Sequence, residues 1–145
     1  PRAAHPGQDG RMISTDLALA LRDAGLSWHP ASGDRFQLDE PEFEADVFTV
    51  SEMTIEPRRY STGTILAFNG TTEWALDSVA LDDALWLPRE DQLRELLRGA
   101  FRSLARLADT YRVEIVFAGE AASFEHPQPE DAYALALLHV LRRIA

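Results

Sequence analysis

Carboxylates dominate the side chains of this sequence that could do chemistry. Glu73 and Asp77 stand on one face of a stretch read below as the second strand of a hairpin, with Glu52, Glu56 and Arg58 expected nearby. Paired carboxylates with one buried member are how acid/base enzymes split two pKa values, so these residues could line a binding or hydrolytic pocket. The plainer alternative is a solvated sheet face that Arg58 neutralises, and with 24 acidic residues in the chain it is the preferred reading. Asp82 and Asp83 are adjacent and could help hold a divalent ion. Their surroundings lack the alternating oxygen ligands and central glycine of a calcium loop, so a loop or helix-start role is expected.

The four histidines, His5, His29, His126 and His139, have neither HxH nor HExxH spacing, and no metal site is expected from them. His126 precedes Pro127 at a strand-to-helix junction, where a local hydrogen bond is its ordinary use, and His139 falls on the polar side of the last helix. No GxSxG elbow supports an esterase-type serine. Trp86, directly before a helix, could anchor a partner's pocket; the competing use is to close the protein's own core. The candidate binding residues are therefore Trp86, Glu73, Asp77 and Arg58, and no catalytic residue is assigned.

All 14 basic residues are arginine. Without lysine there is no P-loop cation, no Schiff base and no ammonium acid. Without cysteine there is no thiol nucleophile, no disulfide and no thiolate zinc site, a composition that a reducing compartment permits; the expected location is cytoplasmic. The net charge of -10 argues against nucleic acid as a partner. Residues 1–70 hold 6 Arg and 11 carboxylates, and residues 71–145 hold 8 and 13, so neither half is a basic tail. No apolar run approaches the roughly 18 residues that cross a bilayer, and the start has no signal-peptide core, so no membrane association is expected.

The elements that must position these groups are legible in part. Residues 1–11 read as a mobile tail, and residues 12–145 as one α+β domain, a normal size for a single core. Ile13, Leu17, Leu21 and Ala24 recur at helical spacing, with Ser14 or Thr15 as cap and Gly25 as stop. A short strand is expected at Arg35–Leu38, then a solvated acidic loop from Asp39 to Asp46. Val47–Val50 and Met53–Tyr60 read as strands, the second confined by Pro57 to an edge or bulge. Thr64–Phe68 and Thr71–Leu76 flank Asn69-Gly70, which predicts a two-residue hairpin with Ile65 opposite Trp74 and Trp74 facing the core. Asp77–Leu87 reads as a loop with a helical turn near Leu81–Leu85. A helix is expected to begin at Pro88 and end at Gly99, followed by a strand over Phe101–Leu107. Tyr111, Val113, Ile115 and Phe117 alternate, Gly119 turns, and Ala122–Glu125 returns. A last helix starts at Pro129, with Arg142 and Arg143 at its C-terminus.

Three segments, Asn69-Gly-Thr-Thr-Glu-Trp-Ala-Leu-Asp77, Leu85-Trp-Leu-Pro-Arg-Glu-Asp-Gln-Leu93 and Asp131-Ala-Tyr-Ala-Leu-Ala-Leu-Leu138, carry a resemblance that extends over approximately Met12 to Ile144. In them the chain resembles a family of short actinobacterial proteins often labelled pilus assembly protein CpaE. The resemblance implies a link to pilus assembly and assigns no catalytic residue. Longer bearers of the label carry a MinD-like ATPase domain, whose phosphate-binding lysine has no counterpart here.

These readings converge on an α+β fold, an antiparallel sheet built from hairpins with about three flanking helices. The expected function is a non-enzymatic cytoplasmic interaction or regulatory protein that binds another protein, needs no cofactor and is free to form a homo-oligomer. The alternative is a small-molecule binding protein or hydrolase with a carboxylate-lined pocket.

Overall fold

The computed structural model describes residues 12–38, 46–50, 55–60, 63–68, 78–80 and 83–144. Its first half contains α1 (Thr15–Asp23), β1 (Arg35–Leu38), β2 (Phe48–Thr49), β3 (Ile55–Tyr60), β4 (Gly63–Phe68), β5 (Ser78–Ala80) and β6 (Ala84–Leu87). There follow α2 (Glu90–Leu97), β7 (Phe101–Arg106), β8 (Tyr111–Phe117), β9 (Glu120–His126) and α3 (Pro129–Ile144). Every strand pairing is antiparallel, so the fold class is α+β. The chain divides into two compact units, one built on Trp28–Leu87 and the other on the segment that ends at Ser27 together with residues from Pro88 onward.

In the first unit, β1 lies between β2 and β6, which sets Phe36 opposite Phe48 on one side and Trp86 on the other. The loop and helical turn expected before Leu87 are replaced by β5 and β6. Ala84, Leu85, Trp86 and Leu87 form a continuous apolar run with no period of its own; three of the four are buried, and the run is fixed as a strand by pairing along the whole of β1.

The second sheet has the order β3-β4-β5. Pro57 faces Leu66 from the edge strand, where a residue without a donor is tolerated. Ile65 stands opposite Ala80 and Leu66 opposite Val79, which overturns the expected Ile65–Trp74 register. A strand has two edges, and β3 and β5 take both edges of β4; the Asn-Gly preference is local and did not decide this pairing. The turn at Asn69-Gly70, Glu52, Glu73, Trp74 and Asp77 lie outside the described residues, as do the expected tail, Asp82 and the acidic loop up to residue 45.

The second unit is a three-stranded meander, β7-β8-β9, packed on α3, which also contacts α1 and α2. The cap of α1 is Ser14, whose Oγ accepts the Leu17 N–H at 3.3 Å. Its C-terminus closes with Leu26 N on Leu21 O and Gly25 N on Arg22 O, both at 3.0 Å; Gly25, at φ +111°, supplies the left-handed residue that this closure needs. Helix α2 starts two residues later than expected, because Arg89 is the cap and its N–H is bonded to the Gln92 side chain at 2.9 Å. It also ends earlier. Arg98, not Gly99, takes the positive φ of 53°, and a 3₁₀ turn spans Arg98–Ala100.

Strand β7 meets β8 with a bulge between Phe101 and Ser103. The β8–β9 turn is the two residues Ala118 and Gly119, with φ of 54° and 79°, the pair of positive values that a type I′ turn requires. Val113 and Ile115 on the inner face of β8 are buried, as are Leu93, Leu97, Ala18 and Leu21 of the other helices. Helix α3 is buried far beyond one stripe, from Glu130 to Ala134 and from Ala136 to Leu138, because two helices and two strands pack around it. Among the described residues no helix is long and apolar enough to cross a membrane.

Candidate functional site

Trp86, expected on a loop, belongs to β6 and to a cluster of four aromatic rings. Trp28 stacks on it at 6.4 Å with the planes 10° apart, and leans on Phe36 at 5.4 Å; Phe36 lies 5.6 Å from Phe48. The positions follow from the sheet, since antiparallel pairing puts Phe48, Phe36 and Trp86 side by side across three strands. Trp28 arrives from the segment before β1 and is held there by a buried carboxylate. Asp34, 3% exposed, accepts the Trp28 indole N–H and the Ala31 backbone N–H through Oδ2, both at 3.0 Å. Its backbone is engaged as well, with Val50 N donating to Asp34 O at 2.8 Å. The indole nitrogen of Trp86 is buried and has no hydrogen-bond partner among the described residues.

A second polar group lies at the N-terminus of α3. Asp131, 4% exposed, accepts the Ser14 backbone N–H at 2.8 Å through Oδ1, and its Oδ2 lies 3.6 Å from His126 Nε2. His126 Nδ1 accepts the Gln128 N–H at 3.0 Å, the local bond expected at this junction. A serine, a histidine and an aspartate thus meet, yet they are not wired for nucleophilic attack. In a triad one ring nitrogen takes the serine proton and the other donates to the carboxylate. Here Ser14 Oγ caps its own helix, Nδ1 is occupied by backbone and Nε2 faces the acid.

Two residues further along α3, Tyr133 is buried against Phe101, with ring centroids 5.7 Å apart, and its hydroxyl meets Arg94 Nη1 at 3.4 Å. Burial pushes its phenol above the ordinary 10.0, and the Glu90 and Glu130 carboxylates add to this while Arg94 opposes it. A neutral hydroxyl is what the packing favours. His139 differs from its expected polar-side position: its ring lies 5.4 Å from Phe124 of β9.

Of the four candidate binding residues, the structure places Trp86 in the aromatic cluster and Arg58 in β3 opposite Ile65, while Glu73 and Asp77 lie outside the described residues. Among the described residues no three histidines, aspartates or glutamates gather where they could hold a metal ion. Trp28, Asp34 and Asp131 were missed as partners of these groups. An aspartate directly before a strand and another in the first turn of a helix look like surface residues, and only the fold shows that both are buried. Comparison with known proteins gives no matching family model, no matching curated protein and no matching solved structure.

Proposed function

We propose that this chain is a non-enzymatic cytoplasmic interaction or regulatory protein. The observation that carries this reading is the use made of the two buried aspartates. Asp34 and Asp131 spend their oxygens on backbone N–H groups, an indole and an imidazole, so these two of the three buried carboxylates among the described residues serve the architecture. The cysteine-free composition is one that a reducing compartment permits. The resemblance to proteins labelled for pilus assembly supplies the process in which to look for the partner.

The test is affinity capture from a native lysate, followed by reconstitution of any captured protein with the purified chain. A specific partner that co-elutes as a stoichiometric complex supports the reading. Reproducible absence of any such partner, or turnover of a metabolite by the purified chain, overturns it.

A further inference from the structure

We infer that the open edge of β7 receives an acidic, extended segment of a partner protein as an added strand. This rests on the interaction reading and locates its surface.

The sheet order leaves β7 with one neighbouring strand among the described residues. Leu107 N donates to Thr110 O at 2.7 Å, and an antiparallel ladder alternates from such a pair. Ser103 and Ala105 therefore face β8 with their backbone groups, while Leu104 and Arg106 turn theirs outward, where they match the backbone of an incoming strand.

Charge selects the occupant. Arg98, Arg102 and Arg106 are all exposed, and among the described residues none of them has a carboxylate partner. Arg102 Nη1 bonds only the carbonyls of Gly99 and Phe101. Between Arg94 and Arg106 four arginines stand against Glu95 alone, in a chain of net charge -10. Elsewhere in this unit Arg112 pairs with Glu125 at 2.9 Å and Arg143 with Glu120 at 2.6 Å, while the exposed Arg142 at the end of α3 has no carboxylate partner among the described residues. Arg98 carries a further mark. Its φ of 53° and ψ of -132° fall where glycine is at ease and arginine is strained, although Gly99 is the next residue. An extended peptide bearing carboxylates would meet these guanidiniums at successive points along the edge while its backbone completes the ladder.

The experiment uses the full chain and a fluorescent peptide of alternating Glu and Val, compared with one of alternating Lys and Val and with the Glu–Val peptide N-methylated at alternate residues. The expected result is anisotropy-detected binding of the Glu–Val peptide, at least about tenfold tighter than the Lys–Val one and weakened by salt. N-methylation should abolish it, and backbone amide shifts should centre on residues 102–107. Arg102→Glu with Arg106→Glu should remove binding, and Arg98→Gly should weaken it without loss of fold.

Five results would overturn the inference. The first is equal binding of the acidic and basic peptides, and the second is shifts that centre elsewhere. The third is no binding of the Glu–Val peptide; aggregation of the arginine variants alongside it would make these arginines guards of an edge and not recognition groups. Concentration-dependent dimerisation that blocks the peptide would identify a second copy as occupant and would likewise sink it. A partner that the double variant still captures would refute this surface and leave the interaction reading standing.

Discussion

Asp131 Oδ1 accepts the backbone N–H of Ser14 at 2.8 Å, which fastens the cap of α1 to the first turn of α3 across 117 positions of chain. The carboxylate is buried and the amide is one that α1 cannot satisfy internally. Asp131→Ala is expected to cost about 2–3 kcal/mol in urea unfolding, and Asp131→Asn less than half of that because an acceptor oxygen remains. Hydrogen exchange of the α1 amides should accelerate in Asp131→Ala before that of α3. Unchanged exchange in α1 would show that the bond does not hold this helix.

The same logic applies to Asp34 in the other unit. Asp34→Ala leaves the Trp28 indole and the Ala31 amide without their acceptor, at an expected cost of about 3 kcal/mol. Tryptophan emission should shift to the red as Trp28 leaves the stack with Trp86. An unshifted spectrum at full stability would contradict the structural role given to this carboxylate.

Tyr133 makes stability depend on alkaline pH. Burial raises its folded-state pKa above the 10.0 of an unfolded tyrosine, so the folded state keeps a proton that the unfolded state gives up. The contribution is complete below pH 10.0 and declines as pH climbs through the raised value. Tyr133→Phe should flatten the fall in unfolding free energy above pH 10.0 relative to the native chain; parallel curves would refute the assignment.

Two residues occupy backbone that glycine would occupy more cheaply. Ala118 at φ 54° and Arg98 at φ 53° each carry a Cβ in a left-handed region. Ala118→Gly and Arg98→Gly should each raise stability by about 1 kcal/mol in chemical denaturation, a gain reduced by the greater freedom of glycine in the unfolded chain. Of the two, only Arg98→Gly is expected to weaken acidic peptide binding. Destabilisation by both would mean that the side chains make contacts outweighing the strain.

What the sequence disclosed depended on how far each signal had to reach. Ser14, Gly25, Pro129 and the alternation from Tyr111 to Phe117 act within a turn or two, and the elements they mark are where they were expected. The pairing of β4 with β5, and the strand at Ala84–Leu87, depend on which distant strand arrives, and no local preference contains that information. Burial of Asp34 and Asp131 was hidden for the same reason, since each is defined by partners from another element or turn. The basic stretch from Arg94 to Arg106 was visible in principle. Counting charge by halves averaged it away.

The arrangement of the second unit has a consequence for synthesis. Its first helix is separated from the rest of that unit by the whole of Trp28–Leu87, and its tether, Asp131, lies near the start of the last helix. At roughly 5–20 residues per second, a ribosome takes about 6–23 seconds to proceed from one to the other. For that interval Ala18 and Leu21, later sealed from water, have none of their final neighbours on α3. The nascent chain should therefore engage holdase chaperones through its early helix, and release should coincide with emergence of the C-terminal one.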